Sequence, residues 1–472
     1  MRNSQLTFSP QEFIEDLKKR GINRFYFVYD SQTKKLKASH LELADLAKDI
    51  ENKIADFNEH EGMFFQLGEH DILHGAFIHQ TQRGQAQGGT RFWKYDTLFD
   101  YLLDGIRLSQ GMTYKNALAG IWWGGGKGVI CSNPLIDTND PSVRNEIFKE
   151  YGKFTSSLNG AYVTAKDVGT TTKDIESIFS QTRFITCIEN IKGGSGDPSR
   201  PTALGVVRAM EAALEFKNEG TLEGKTIAIQ GGGSVAQYLT GFLLEKNVKK
   251  LLISDINVEK IEYLQQKFQT SKIQFFVHEP HNSEILFQEC DILAPCAIGG
   301  VLNSETIAKI KAKMICGAAN NQLQDEKSDA LLLHQKGITY IPDFLVNRMG
   351  IVHCANEQYG YVNNDIELKK HLEKNWDQSI YKLTLYVLNV AQDKNITTTE
   401  SAIEIAQKLA KEKHPIFKHR TIEIIKSLVN LRWELQTPKS TETHQHNQPP
   451  TKRKQLSSIS SNRSSDLFPR IH

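Results

Sequence analysis

The sequence predicts a two-domain α/β protein whose second domain is built on a parallel sheet. Three observations carry this expectation. The chain has 472 residues, too many for one ordinary core. Its composition, 39% hydrophobic and 24% charged, is that of a folded globular protein. After residue 200, apolar runs alternate regularly with amphipathic stretches of helix length.

Taken in order, residues 1–60 are mixed and helix-leaning. FIEDLKK and LELADLAKDIENKIADF place apolar residues three or four apart, and the segment is expected to be an accessory helical extension. Short apolar runs (MFFQL, HGAFIH, KGVIC) and an amphipathic stretch at 97–108 then point to a first α/β domain over 61–192. GGSGDPSRP at 193–201 has the Gly, Ser and Pro of a loop, and a domain junction is expected there. Between 200 and 345 the runs TIAIQ, LLIS, IQFFV, CDILA, MICGA and ITYI are separated by helix-like stretches such as 235–246 and 258–268. That order implies parallel strands joined by crossover helices. Residues 346–435 read as a helical segment, and the Pro, Ser and Thr content of 436–472 reads as a disordered tail.

Charge and cysteine usage exclude several classes. The net charge is +2, and residues 436–472 hold six Lys/Arg against two Asp/Glu, so the body lacks the basic excess of a nucleic-acid binder. Six scattered cysteines form no CxxC pair, so neither a metal site nor a disulfide framework is expected, and reduced thiols fit a cytoplasmic protein. The start MRNSQLTFSPQEF lacks the apolar core of a secretory signal. The longest apolar-leaning run, 292–302, is too short to span a bilayer, so no membrane association is expected.

The segment GKTIAIQGGGSVAQYLTGFLL sets Gly231, Gly233 and Ala236 in a G-x-G-x-x-A arrangement after an apolar strand, with Ser234 and Val235 inside the same turn. Gly231 permits the turn, Gly233 lets backbone N–H groups approach a pyrophosphate, and the helix start supplies favourable dipole charge. LLIS then ends in Asp255, where a carboxylate can accept hydrogen bonds from ribose hydroxyls. A 2′-phosphate would be repelled there and INVEK offers no Arg, so NAD is favoured over NADP. Alternatively the glycines only make a turn and Asp255 only ends a strand.

In GMTYKNALAGIWWGGGKGVI, Lys115 lies on a helix-like stretch and Lys127 follows three glycines, read as a loop before an apolar strand. A lysine beside an open backbone can reach into a cleft, where crowding lowers its pKa toward the range of acid–base work. A solvated surface lysine fits the same pattern. Asp167 follows the run YVTA before a Thr-rich helix start, where turn or cap chemistry is an equal reading.

These segments resemble the glutamate/leucine/phenylalanine/valine dehydrogenase family, its leucine-type members most closely. From about 63 to 361 the resemblance is carried in order by GGTRFW, GMTYKNALAG, GGGKG, YVTAKDVGTT, PSRPTALGV, GGGSVA, APCAIGGVLN, AANNQL and PDFLVN. It implies a substrate domain and a Rossmann-type dinucleotide-binding domain, with C-terminal helices returning to the first, and a homo-oligomer. It also implies that Lys115 binds the substrate carboxylate, that Lys127 is catalytic and that Asp167 is its proton-transfer partner. Gln87, Gly88, Gly89, Ala165, Ile351 and Cys354 would line the substrate, and Ala297 and Asn321 would join the cofactor contacts.

Gln87 stands where leucine-type members carry an apolar residue and glutamate-type members a lysine, and Cys354 where their pockets are aliphatic or carry serine. Without that lysine a buried glutamate carboxylate is poorly matched, so the expected substrate is a neutral L-amino acid, exchanged with its 2-oxo acid and ammonium. Arg348, Met349, Asn320 and Trp122-Trp123 also depart from the family's pattern and read as repacking, wall or interface. The alternative is a catalytically impaired regulatory member that binds NAD or an amino acid without turnover.

Overall fold

A computed structural model describes residues 4–280, 282, 284–357, 360 and 362–436. Eight strands form the first sheet: β1 (Arg24–Asp30), β2 (Lys35–Ala38), β3 (Gly62–Leu67), β4 (Leu73–Ile78), β5 (Ala86–Gln87), β6 (Thr90–Trp93), β7 (Gly124–Cys131) and β8 (Tyr162–Val163). Their order is β2-β1-β3-β4-β7-β5-β8, with β6 also pairing β7. The strands from β2 to β7 run antiparallel, whereas β5 and β6 run parallel to β7, and β8 parallel to β5.

Alternation along these strands fills two cores. Phe25, Phe27, Phe65 and Phe77 face helices α1 (Pro10–Lys19), α2 (Ala44–Lys53) and α3 (Leu98–Leu118). Tyr26, Phe64 and Ile130 face α4 (Pro141–Ser157) and α5 (Thr172–Phe179). The N-terminal sixty residues therefore differ from the helical extension expected of them. They do form α1 and α2, but RFYFVYD becomes β1 and pairs with β3, Phe25 opposite Phe65, so the segment is part of the sheet. An aromatic run buried along much of its length has no helical period, and while β2 pairs with it locally, its other partner, β3, lies about forty residues on.

The second sheet holds β9 (Thr226–Gln230), β10 (Lys250–Asp255), β11 (Ile273–Val277), β12 (Ile292–Pro295), β13 (Met314–Ile315) and β14 (Thr339–Tyr340). All are parallel, in the order β11-β10-β9-β12-β13-β14. This is the doubly wound order in which a crevice opens where β9 and β12 send their connections to opposite sides. Helices α6 (Ser199–Phe216), α7 (Ser234–Glu245), α8 (Val258–Lys267), α9 (Ser304–Lys309) and α10 (Glu326–Gln335) accompany it. Leu239 and Leu243 of α7 are buried in one core with Ile227 and Ile229 of β9.

The chain then returns. After α11 (Asp343–Val346), α12 (Met349–Ala355) and α13 (Ile366–Lys370), α14 (Ile380–Lys394) packs on α6 and α15 (Thr398–Ala410) on α3. From α16 (Arg420–Asn430), Ile425 and Leu428 enter the core of the first sheet together with Trp433. No helix among the described residues is long and apolar enough to cross a membrane. From residue 437 onward the expected disordered tail lies outside the described residues.

Candidate active site

The glycines before Lys127 are not a loop: they are the first residues of β7. Their role is close packing. A Cβ on Gly125 would lie 1.9 Å from Thr113 Oγ1 and 2.5 Å from the Ser109 carbonyl oxygen, so α3 rests directly on the backbone of β7. Lys115 on α3 and Lys127 on β7 thereby reach the same cavity, of about 300 Å³.

Gln87, Gly89, Ala165 and Asp167 line that cavity from the first sheet, and Val235, Asn321, Ile351 and Cys354 from the other side. Gly88 does not: a Cβ there would meet the Gly126 carbonyl oxygen at 1.8 Å, so this residue packs β5 against β7. Gly231, Gly233, Ser234, Ala236, Asp255 and Ala297 are likewise outside the cavity wall, at the turn after β9 and its surroundings.

The lysine and aspartate meet. Lys127 Nζ donates to Asp167 Oδ2 at 2.5 Å, and Arg91 Nε lies 3.7 Å from the same oxygen while its guanidinium also pairs with Asp104 at 2.9 Å. Burial by itself would raise the Asp167 pKa, but Lys127 and Arg91 outweigh it and hold the carboxyl at about 2. Burial pushes Lys127 below its usual range, with Asp167 opposing. Burial also brings Lys115 down to about 8, against the pull of Asp343. Lys115 Nζ donates to Asn320 Oδ1 at 3.1 Å, an oxygen that Asn347 Nδ2 also reaches at 2.8 Å. Asp343 accepts from Asn321 N at 2.8 Å and from the Tyr340 hydroxyl at 3.2 Å, which ties the turn around Asn321 to the site.

Arg91, Asp343, Asn347 and Cys187 are site residues that sequence reasoning did not single out. The first two had a local signal: Arg91 lies two residues beyond Gly89, and Asp343 interrupts an apolar run in PDFLVN. Of the departures noted in the sequence, Asn320 is in the site. Arg348 is buried elsewhere and donates to the carbonyls of Leu118 and Gln378. Met349 and Trp123 are core residues, and Trp122 is half-exposed with the Arg83 guanidinium 4.3 Å above its ring.

At the second sheet, Gly231 adopts φ 99° and comes so near Ala297 that a Cβ would stand 2.9 Å from the alanine methyl. No side chain caps the start of α7, and a Cβ on Gly233 would meet nothing within 4 Å. An uncapped helix start with open space beside Gly233 suits a dinucleotide pyrophosphate. Asp255 Oδ2 accepts from Gly232 N at 2.7 Å, and Lys260 Nζ lies 3.6 Å from it. INVEK thus lacks an Arg but still places a cation beside this carboxylate.

Two family models match the chain. Residues 66–184 match the Glu/Leu/Phe/Val dehydrogenase dimerisation domain, and residues 193–414 match Glutamate/Leucine/Phenylalanine/Valine dehydrogenase. Leucine dehydrogenase of Geobacillus stearothermophilus is 41% identical over 346 residues, 73% of this chain and 89% of that protein. Phenylalanine dehydrogenase of Lysinibacillus sphaericus is 39% identical over 332 residues, 70% of this chain and 83% of that protein. The crystal structure of L-tryptophan dehydrogenase from Nostoc punctiforme superimposes with a TM-score of 0.57 at 34% identity, covering 74% of this chain and 96% of that one. With these matches spanning both sheets, the chain belongs to the glutamate/leucine/phenylalanine/valine dehydrogenase family of amino-acid dehydrogenases.

Proposed function

We propose that the chain catalyses the NAD-dependent oxidative deamination of a neutral L-amino acid to its 2-oxo acid and ammonia, and the reverse reductive amination. The observation that carries this reading is the convergence of Lys115, Lys127 and Asp167 on one cavity between the two sheets. Lys115 pairs with the substrate α-carboxylate and so fixes the Cα–H bond in one direction. NAD would be held by Gly231, Gly233, Ser234, Val235, Ala236, Asp255, Ala297 and Asn321 and would accept the hydride from Cα, leaving the imine. Asp167 takes a proton from the substrate ammonium. Lys127 stabilises the oxygen charge that develops when water adds to the imine, and proton exchange across the 2.5 Å contact lets the carbinolamine collapse. In the ion pair Asp167 is a weak base, so substrate entry must loosen its contact with Lys127 before the proton moves.

Gln87 supports a neutral substrate. It is buried, its Nε2 donates to Thr186 Oγ1 at 3.4 Å, and its Oε1 has no partner, so it offers an amide rather than a cation to the side chain. The relatives reported above are named for leucine, phenylalanine and tryptophan, all neutral. On this reading 61–192 with the N-terminal strands is the substrate domain, 200–345 the NAD domain and 346–435 the returning helical segment. A homo-oligomer is part of this reading, supported by the match of residues 66–184 to the family's dimerisation domain. The test is NADH absorbance during oxidation of a panel of twenty L-amino acids, repeated with NADP. Turnover on a neutral aliphatic substrate is expected. A large preference for glutamate overturns the substrate reading, and NADH binding without turnover on any amino acid replaces it with the regulatory alternative.

A further inference from the structure

Cys187 and Cys354 are 167 residues apart in the chain, yet their sulfurs lie 2.9 Å apart. Both are buried, both line the active cavity, and with Ala165 they form a small apolar cluster on its wall. Cys187 has φ 66°, a conformation that glycine adopts freely and an L-residue only at a cost, so a thiol is held where the backbone would favour no side chain at all.

The surrounding backbone is fixed across the seam between the two halves of the molecule. The Glu357 carboxylate accepts from Cys187 N at 2.8 Å, Ile188 N at 3.0 Å and Ser195 Oγ at 2.6 Å. His353 Nε2 donates to the Ser195 carbonyl at 2.6 Å. Residues 187–195 lead out of the first sheet's domain, and α12, which carries Cys354, follows the second sheet. The two sulfurs therefore meet where both crossings of the chain come together.

We propose that Cys187 and Cys354 are an oxidisable dithiol, closed to a disulfide by a hydroperoxide and reopened by thiol reductants. Cys187, the more accessible to the cavity, attacks one peroxide oxygen as its thiolate. The O–O bond breaks, hydroxide leaves and takes up a proton, and a sulfenic acid remains. Cys354 then attacks that sulfur and displaces water as the S–S bond forms. In sum two thiols and one hydrogen peroxide become one disulfide and two waters, the sulfurs giving up two electrons. The Cys354 thiol is pushed well above its ordinary range by its contact with Cys187 and then by burial, which disfavours it as the first nucleophile, while the 2.9 Å contact places it to attack the sulfenic acid once that has formed. A bond of about 2.05 Å draws the sulfurs together, locks residues 187–195 to α12 and stops the two halves from parting at the cavity. The effect on turnover rests on the dehydrogenase reading; formation of the bond does not.

The test treats the full chain with a small excess of hydrogen peroxide, blocks remaining thiols and maps the cysteine peptides by mass. A 187–354 cross-link two hydrogens lighter than the dithiol is expected, reversed by dithiothreitol, with Cys131, Cys290, Cys296 and Cys316 still alkylated. Free or singly oxidised Cys187 and Cys354 without a cross-link overturn the proposal. Cys187→Gly, which suits the local φ, should abolish the cross-link and, relative to its own untreated rate, keep its turnover under peroxide, while the unsubstituted chain loses turnover in proportion to the cross-linked fraction. Equal peroxide sensitivity of the variant overturns the proposed consequence for activity. If no amino acid is turned over at all, the dehydrogenase reading fails while the mass map still decides the cross-link.

Discussion

Replacing Asp167 with Asn keeps the shape of the side chain and removes the one negative charge shared by two cations. Lys127 Nζ stands 2.5 Å and Arg91 Nε 3.7 Å from the carboxylate, and the three side chains are 4%, 17% and 14% exposed in the order Lys127, Arg91, Asp167. Arg91 keeps Asp104, but Lys127 is left without its partner. Breaking a buried pair from one side costs about 3–5 kcal/mol. The loss has a ceiling, because Lys127 can release its proton: at pH 7, with an unfolded value of about 10.4, neutralisation costs at most about 4.6 kcal/mol. At pH 9 the same ceiling falls to about 1.9 kcal/mol, so the variant should recover stability as pH rises. Urea unfolding at fixed protein concentration reads this directly. Turnover should fall by about 10²–10⁴-fold with the loss of the proton-transfer group. The double variant Lys127→Met/Asp167→Asn should regain most of the stability and none of the turnover. An Asp167→Asn chain within about threefold of the original turnover refutes the proton-transfer role. One that loses under about 1 kcal/mol at pH 7 refutes the electrostatic argument.

Three further outcomes are expected. Lys115, brought down to about 8 by burial, is charged below that pH and neutral above it. The inhibition constant of a simple aliphatic carboxylate should therefore rise about tenfold per pH unit between 8 and 10, and a flat profile would remove Lys115 from carboxylate binding. Gln87→Leu removes the partnerless amide oxygen facing the cavity, and kcat/KM for aliphatic amino acids should rise by up to about tenfold, whereas a fall would show that this amide contacts the substrate. The neighbouring histidines His60 and His79, with ring centroids 4.6 Å apart and planes tilted by 52°, are held below their ordinary pKa by burial, His60 at about 4. Unfolding lets them take protons, so stability is intact above about pH 6.5 and falls on acidification by about 1.4 kcal/mol per pH unit for each histidine. His60→Gln should shallow that slope in acid unfolding, and an unchanged slope would assign the acid sensitivity to other groups.

The second sheet was legible because its signal is local. Strands buried on both faces read as continuous apolar runs, and helices of crossover length separate them, so β9 to β14 stand where TIAIQ, LLIS, IQFFV, CDILA, MICGA and ITYI were read. The two misreadings share the opposite cause. RFYFVYD is a strand through its pairing with β2 and with the distant β3, and the glycines before Lys127 are a strand that pairs with β4 and β5 while α3 packs on their bare backbone.

The same division runs through the candidate active site. The family resemblance carried by motif order singled out Lys115, Lys127 and Asp167, which no local pattern separated from a surface lysine or a helix cap, and the turn after β9 singled out Gly231, Gly233 and Asp255. Contacts between those segments depend on strand register and helix packing, which no local pattern encodes. The fold decides that Arg91 adds a second cation to Asp167, that Lys115 faces the neutral Asn320 from 205 residues away, and that Gly88 turns from the cavity while Cys187 enters it to meet Cys354. Residue identity sets what each side chain can do; the distances that select among those capacities arise only when β7, α3 and α12 close around one cavity.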